Sequence, residues 1–245
     1  MTVLSINVNK FALLRNARGT DYPNLIKICE KCIKFGAQGI TVHPRPDERH
    51  AKFSDIPDIA QLVNKFNGIE FNIEGYPSEF FIKEIIKNKP HQVTLVPDPP
   101  EALTSSFGWN CKENINLLKE AVSEFKLNDI RVSLFVSPSI KNLEYLSEIK
   151  NDRVELYTFD YAKNYLTDCQ TSITPYLEVT NFINKNFPNI ELNAGHDLNL
   201  ENLDFILEKI PTIKEVSIGH ALVCDSIIFG LEETIKKYKS ITIKN

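Results

Sequence analysis

Short β-branched runs alternate with longer amphipathic stretches along the whole chain. Within the longer stretches, apolar residues recur three and four positions apart, as at Leu25, Cys29 and Ile33, which is the spacing of one helix face. Continuous alternation of strand and helix is typical of βαβ units with a parallel sheet. The eight predicted strands are Val3–Asn7, Gly39–Val42, Glu70–Ile73, Gln92–Val96, Arg131–Phe135, Arg153–Tyr157, Ile190–Asn193 and Glu215–Ile218.

Eight such repeats close naturally into a barrel, and 245 residues is a usual length for one barrel domain. We therefore predict an α/β fold, a single (β/α)8 TIM barrel over residues 1–245. Extra helices are expected in the longest loops, near residues 97–112 and 158–172. An open doubly wound sheet is the alternative, but that fold has a glycine-rich turn after its first strand. Here the first strand is followed by Val8, Asn9 and Lys10.

Helix boundaries are indicated by a few residues. Pro23 is expected to open the first helix, and Ser78 and Ser137 are expected to precede helical stretches. The last helix follows directly on the eighth strand. Its predicted apolar stripe consists of Ile227, Ile228, Leu231 and Ile235.

Composition and charge exclude several classes of protein. Hydrophobic residues make up 42% of the chain and charged residues 24%, which are ordinary values for a globular domain. A formal net charge of −4 argues against a nucleic-acid partner, and no run of about 18 apolar residues could span a bilayer. The N-terminus lacks the pattern of a secretory signal, and the five cysteines do not form a dense disulfide framework. We expect a cytoplasmic protein without a nucleic-acid or membrane partner.

Polar side chains fall at the ends of most of the predicted strands. In a (β/α)8 barrel all strand C-termini meet at one rim, so these side chains are expected to converge on one pocket. His43 and Glu74 follow consecutive strands, and such a pair suits general acid–base chemistry near neutral pH. The full set is Asn7, His43, Glu74, Glu155, His196 and His220.

Two features indicate an anionic ligand. Gly219 and His220 lie between the eighth strand and a helix, where free backbone N–H groups and the helix dipole favour phosphate. Five cations also crowd the first two loops of this acidic protein, although a solvated basic face is the alternative. These cations are Lys10, Arg15, Arg18, Arg45 and Arg49.

Two further interpretations carry less weight. His43, Glu74, Glu155 and His196 include possible zinc donors, but none of them has a short metal-type spacing such as H-x-H, so no metal is expected. Cys29 and Cys32 form a C-x-x-C motif. It lies inside a helical stripe, whereas a redox site would lie at a helix start, so packing is favoured.

The chain closely resembles the pyridoxine 5′-phosphate synthase family, the ring-closing enzymes of the deoxyxylulose-dependent vitamin B6 pathway. The segments that carry the resemblance run in order from the first strand to the last, so it covers essentially the whole chain. They are residues 7–20, 36–50, 72–75, 93–97, 154–157, 193–196 and 217–220.

The resemblance implies condensation of 3-amino-2-oxopropyl phosphate with 1-deoxy-D-xylulose 5-phosphate, giving pyridoxine 5′-phosphate, phosphate and water. It implies no metal or organic cofactor, because the substrate brings its own amine for the Schiff base. It also implies a homo-octamer, a tetramer of dimers. A phosphosugar isomerase or aldolase barrel, and a barrel that binds ligand without turnover, are the competing functions. An aldolase would need a lysine at the end of an inner strand, and we find none.

The resemblance also assigns roles to individual residues. His43 and Glu74 would be the central acid–base pair, His196 a proton donor, and Glu155 would stabilise a transition state. The aminooxopropyl phosphate would be held by Asn7, Arg18, Gly219 and His220, and the deoxyxylulose phosphate by Arg45, His50 and Thr104.

Three positions in the substrate-binding set depart from the commonest family pattern. Many members have Asp-His where this chain has Asn9 and Lys10, and many have glycine where it has Asp197. The first change keeps a hydrogen-bonding amide and a cation. We therefore expect these departures to alter substrate affinity more than the reaction.

Overall fold

The structure, a computed structural model, describes residues 1–98 and 105–244. Eight parallel strands form a closed barrel in which each strand pairs with its sequence neighbours and the last pairs with the first. The predicted TIM barrel is therefore confirmed. The strands are β1 (Val3–Asn7), β2 (Gly39–Val42), β3 (Glu70–Gly75), β4 (Gln92–Leu95), β5 (Arg131–Val136), β6 (Arg153–Tyr157), β7 (Glu191–Gly195) and β8 (Ile213–Ile218).

Helices surround the barrel. Two short 3₁₀ turns, Phe53–Asp55 and Ile140–Asn142, accompany the α-helices. In the part of the chain that is described, the α-helices are α1 (Asn9–Asn16), α2 (Leu25–Lys34), α3 (Ile56–Val63), α4 (Glu79–Asn88), α5 (Ile115–Leu127), α6 (Leu146–Ile149), α7 (Phe159–Tyr165), α8 (Cys169–Asn186), α9 (Leu203–Lys209), α10 (His220–Phe229) and α11 (Leu231–Thr242).

Helix boundaries confirm some expectations and correct others. Ser78 caps α4, because its hydroxyl accepts a hydrogen bond from the Phe81 N–H at 3.2 Å. Pro23 does not open the first helix: α1 precedes it, and Asn24 is the N-cap of α2. Ser137 starts no helix, and its hydroxyl instead accepts the Gly108 N–H at 2.9 Å.

The two expected insertions and the last helix also differ in part. An extra helix, α7, lies in the loop near 158–172, whereas the described residues of the loop near 97–112 form neither helix nor strand. The predicted stripe on the last helix is interrupted at Gly230, where the chain turns with φ +80° between α10 and α11. Ile227 and Ile228 are consequently exposed, at 77% and 75%.

The barrel interior is polar, whereas the outward side of each strand is apolar and packs under the helices. Ser5, Thr41, Asn72 and Thr94 form a chain of side-chain hydrogen bonds of 2.7–3.4 Å across the first four strands. Below them, Arg153 donates to Gln92 at 3.1 Å and to Glu215 at 3.0 Å, across the barrel. Branched apolar side chains usually fill this space. In this barrel, polar side chains continue from the rim into the interior.

Candidate active site

The candidate site residues gather at the C-terminal end of the barrel. Asn7 ends β1, His43 directly follows β2 and His196 directly follows β7. Two expected positions need correction. Glu74 is the penultimate residue of β3, and Glu155 is the middle residue of β6, so neither follows its strand. Glu155 therefore lies inside the barrel, below the rim.

His43 and Glu74 lie side by side on neighbouring strands. His43 Nδ1 is 3.6 Å from Glu74 Oε2, and the same carboxylate oxygen accepts from Asn7 Nδ2 at 3.3 Å. Asn7 Oδ1 in turn accepts from the Asn9 N–H at 3.1 Å, and Asn9 Oδ1 accepts from the His43 N–H at 3.0 Å. The two asparagines thus hold the first three strand ends in one arrangement.

Burial controls the protonation of both members of this pair. Burial raises the pKa of Glu74 to about 7, against the opposing influence of His196. Burial and the neighbouring Arg45 charge lower the pKa of His43 to about 3. Near neutral pH the imidazole is therefore uncharged while the carboxyl can both hold and release a proton. This is the condition that general acid–base catalysis needs.

His50 and Lys10 flank the pair. The rings of His43 and His50 meet edge to face, with centroids 6.2 Å apart. Burial, followed by the charges of His43, Arg45 and Arg49, lowers the pKa of His50 to about 3, and Lys10 is close enough to contribute. His50 Nδ1 is buried and has no hydrogen-bond partner among the described residues. It is therefore available to a ligand atom.

Three of the five cations at the rim have acidic partners, which corrects the picture of a free cationic cluster. Arg15 is buried and donates to both oxygens of Asp55 at 2.7 and 2.9 Å, so it joins α1 to the segment before α3. Arg49 pairs with Asp47 at 2.7 Å. Arg45 forms a buried ion pair with Asp98.

Two predicted binding residues stand apart. Arg18 is exposed in the turn after α1, and the described contacts do not join it to the rest of the site. Thr104 lies outside the described residues. Their assignments stay predictions.

His196 and Asp197 both have left-handed backbone, with φ values of +59° and +94°. The His196 ring meets Tyr157 edge to face at 5.0 Å between centroids. Asp197 Oδ2 lies 3.0 Å from His196 Nδ1. The Asp197 side chain therefore contacts the neighbouring imidazole.

The φ of +94° at Asp197 lies in the region that favours glycine. Asp197→Gly should raise the free energy of unfolding by about 0.5–1 kcal/mol, because it relieves this strain. Urea denaturation measures the change. Lys89→Gly is the control, because Lys89 also has left-handed backbone, with φ +44°, at the C-cap of α4. A less stable Asp197→Gly protein would mean that the contact with His196 outweighs the strain.

Glycines allow close approach at two points of the site. A Cβ on Gly195 would lie 2.2 Å from Glu155 Oε1, so the Glu155 carboxyl occupies the space that a side chain would take. A Cβ on Gly219 would lie 3.1 Å from the Cβ of Asn7. Gly219 is the N-cap of α10, and the exposed His220 begins that helix. The first turn of α10 therefore presents its N–H groups beside Asn7.

A cavity of about 730 Å³ opens beside His43, on the side of the barrel mouth formed by the loops after β2, β3 and β4. His43, Arg45 and Asp98 line its polar part, and Phe53, Tyr76 and Phe80 are among its apolar lining. Sequence reasoning missed Asp98 and Gly195. Asp98 comes three residues after β4 and Gly195 ends β7, so the same attention to strand ends could have found both.

The remaining candidate chemistries find little support in the described ranges. Cys29 and Cys32 are fully buried in α2, and burial raises the pKa of the Cys32 thiol to about 12, which agrees with packing residues. Over residues 1–98 and 105–244, no three His, Cys, Asp or Glu side chains form a cluster that could hold a metal. No helix of that part has the length and apolar character needed to cross a membrane.

The sequence is similar over nearly its whole length to a family of biosynthetic proteins. A family model described as "Pyridoxal phosphate biosynthesis protein PdxJ" matches residues 4–244. Proteins named pyridoxine 5′-phosphate synthase from Parabacteroides distasonis and Bacteroides fragilis are 51% and 50% identical over 240 residues, covering 98% of this chain and 98% and 99% of theirs. The protein of that name from Porphyromonas gingivalis is 46% identical, covering 98% of both chains.

Solved structures with low sequence identity share the fold. A tryptophan synthase from M. tuberculosis superposes with a TM-score of 0.67 at 11% identity, covering 98% of this chain and 92% of that one. A 3-keto-L-gulonate-6-phosphate decarboxylase from Vibrio cholerae gives 0.61 at 8% identity, covering 96% and 98%. At these identities the likeness shows the barrel fold alone.

Proposed function

This chain belongs to the PdxJ family of pyridoxal phosphate biosynthesis proteins, and we propose that it catalyses the synthesis of pyridoxine 5′-phosphate. Its substrates are 3-amino-2-oxopropyl phosphate and 1-deoxy-D-xylulose 5-phosphate, and phosphate and water leave. The observation that carries this proposal is the buried pair of an uncharged His43 and a Glu74 whose pKa is about 7, beside Arg45. The competing phosphosugar aldolase has no comparable support.

The reaction joins two phosphorylated ketones, one of which carries the amine, into an aromatic ring. The substrate amine forms the Schiff base, so the protein has to move protons during dehydration, phosphate loss and aromatisation. Proton transfer by positioned side chains is therefore its main contribution. We expect no cofactor, because none of these steps needs an external electron acceptor.

Glu74 is the proposed general base, and His43 its partner in proton transfer. With a pKa of about 7, Glu74 is partly ionised at neutral pH and can take a proton from carbon or nitrogen and return it later. The uncharged His43 can accept a proton from a substrate hydroxyl or donate a hydrogen bond to it. Asn7 and Asn9 fix the geometry of both groups through the contacts described above.

Glu155 and His196 act from the other side of the barrel mouth in this proposal. Burial, and then the charges of Glu74 and Glu215, raise the pKa of Glu155 well above its ordinary value. The raised pKa favours the protonated form of Glu155, which can donate a hydrogen bond to negative charge that develops in a transition state. His196 is the proposed proton donor to a leaving group.

Two anion sites hold the substrates. The first turn of α10, at Gly219 and His220, receives the aminooxopropyl phosphate together with Asn7 and Arg18, because unpaired N–H groups and the helix dipole favour a dianion. Arg45, His50 and Thr104 receive the deoxyxylulose phosphate. The three departures from the family pattern, Asn9, Lys10 and Asp197, adjust affinity at the rim.

Incubation of the purified protein with both substrates tests the function. We expect the absorbance of a pyridinol product to appear only when both substrates are present, and no signal with either one alone. The Arg45→Ala protein should show the same product with a raised KM for deoxyxylulose phosphate. Complete inactivity of a folded parent protein with both substrates would remove the proposal.

We further propose a cytoplasmic homo-octamer built as a tetramer of dimers. Self-association is supported by a group of exposed apolar side chains on α1 and the end of α10, two helices that pack together. Exposed apolar patches of this kind mark association surfaces. The group consists of Leu13, Leu14, Ile227, Ile228 and Phe229.

The double substitution Ile227→Asp and Ile228→Asp should shift the protein to smaller species, because it places two charges in an apolar contact. Sedimentation velocity measures the assembly. Leu127→Asp is the matched control, since Leu127 is 78% exposed at the end of α5, across the barrel from α1 and α10. An unchanged assembly in the double variant would contradict this surface assignment.

A further inference from the structure

Asp98 is a buried carboxylate at the mouth of the barrel whose partner is one of the proposed phosphate ligands. Asp98 and Arg45 are each only 4% exposed, and Arg45 Nη2 donates to Asp98 Oδ2. The same oxygen also accepts from Ser105 Oγ at 2.6 Å. Both Arg45 and Asp98 line the cavity beside His43. A negative charge of the protein itself is therefore paired with Arg45.

We propose that Asp98 is a specificity-determining residue, a counterion that an incoming phosphate must displace from Arg45. The inference rests on the proposed function, because there Arg45 binds the phosphate of deoxyxylulose phosphate. Asp98 is not a catalytic residue in this account. It restricts binding to anions that interact with Arg45 more strongly than Asp98 does.

The exchange of partners explains why such a residue selects for phosphate. A monocarboxylate ligand would gain about as much interaction free energy with Arg45 as Asp98 loses. The exchange therefore does not favour binding of a monocarboxylate. A phosphate dianion brings a larger charge and three acceptor oxygens, and it can form two parallel bonds with a guanidinium. Because the pair is buried, little water is present to compensate for an imperfect exchange. Only the dianion displaces Asp98 effectively.

The hydrogen bonding of Asp98 supports a counterion that can leave. Asp98 Oδ1 is buried and accepts no hydrogen bond from the described residues, whereas Oδ2 has two donors. A carboxylate built to hold Arg45 permanently would use both oxygens in a bidentate pair, as Asp55 does with Arg15. Half of the acceptor capacity of Asp98 is therefore not used by the described protein groups.

The alternative is that Asp98 merely positions Arg45 for the ligand, and the two roles predict opposite effects. Asp98→Asn keeps the size of the side chain and an acceptor for Ser105 but removes the competing charge. A displaced counterion lowers the apparent affinity of the ligand, so its removal must raise that affinity. If Asp98 instead positions Arg45, its removal must lower that affinity.

The test is the binding of inorganic phosphate, measured by isothermal titration calorimetry, in four proteins: the parent, Asp98→Asn, Arg45→Ala and the double variant. We expect Asp98→Asn to bind phosphate about ten-fold more tightly and to bind acetate measurably. In the Arg45→Ala background the same substitution should change the phosphate Kd less than about two-fold, because the gain requires Arg45.

Asp47→Asn is the matched control, since it removes the same charge from a surface pair with Arg49, and it should leave phosphate affinity nearly unchanged. Asp98→Ala serves if the asparagine variant does not fold. Phosphate binding weakened as much by Asp98→Asn as by Arg45→Ala, or unchanged, would overturn the inference. If the parent makes no pyridinol from its two substrates, the proposed function fails, whereas the phosphate affinities test Asp98 alone.

Discussion

Turnover of the Glu74→Gln protein falls by about 10²–10⁴, with little change in substrate binding. Glutamine keeps the size of the side chain and an acceptor for Asn7, but it cannot take a proton, and general-base catalysis is worth this much. Steady-state kinetics with both substrates measure kcat and KM. In the parent, kcat/KM should rise with pH and level off above about pH 7, where Glu74 has lost its proton. This rise should be absent from the variant.

Glu215→Gln provides the control for burial alone. Burial also raises the pKa of Glu215 to about 7, but this carboxyl lies deeper in the barrel and bonds with Arg153 at 3.0 Å. Its replacement should affect turnover far less than that of Glu74. Near-normal kcat in a folded Glu74→Gln protein would exclude Glu74 as the base.

Gly195→Ala should lower turnover by about 10² or more while the fold is kept. Its Cβ would lie 2.2 Å from Glu155 Oε1, so the carboxyl of Glu155 must move from its place below the rim. Loss of one positioned donor to a developing charge has this order of effect. The measurement is kcat together with circular dichroism and Tm, which show whether the barrel is intact.

A double-mutant cycle assigns the loss to Glu155. If alanine at position 195 acts only by displacing that carboxyl, Gly195→Ala combined with Glu155→Ala should be no less active than Glu155→Ala alone. Full activity of Gly195→Ala would show that the position of the Glu155 carboxyl does not matter for the reaction. Additive losses would assign a separate role to Gly195.

Much of the fold could be predicted from the sequence because local pattern and burial agree in the strands. Residues such as Leu4 and Ile6 are fully buried under the helices, and they alternate with inward polar residues such as Ser5 and Asn7. This alternation and the helical spacing between strands depend only on near neighbours in the chain. All eight strands and the barrel were therefore predictable.

The elements that escaped prediction have weak local signals. Helix α1 buries Phe11 and Ala12 but exposes Leu13 and Leu14, so it lacks a clear inward stripe. In the last helical region, apolar spacing continues across Gly230, and only the backbone turn there separates α10 from α11. Ile227 and Ile228 have the spacing of a buried helix face, and the sequence therefore predicted one, although both residues are exposed.

The candidate site could be predicted as a set of residues but not as a set of contacts. The expectation that polar residues at strand ends converge on one pocket was correct for His43 and Glu74, because neighbouring parallel strands end at one rim. It assigned the wrong depth to Glu155, which the alternation of β6 places inside the barrel. Arg45 meets its partner Asp98 53 positions further along the chain, so only the tertiary structure reveals that this cation is already paired.

The most direct test of the account counts product and phosphate in the same reaction. Two phosphorylated substrates enter and a product with a single phosphate leaves. Purified protein supplied with both substrates should therefore release one inorganic phosphate for each pyridoxine 5′-phosphate identified by mass spectrometry. A ratio of one in the parent, with both products formed about 10²–10⁴ times more slowly by Glu74→Gln, is the result that the account predicts. Phosphate release without the pyridinol, or a product that keeps both phosphates, would contradict it.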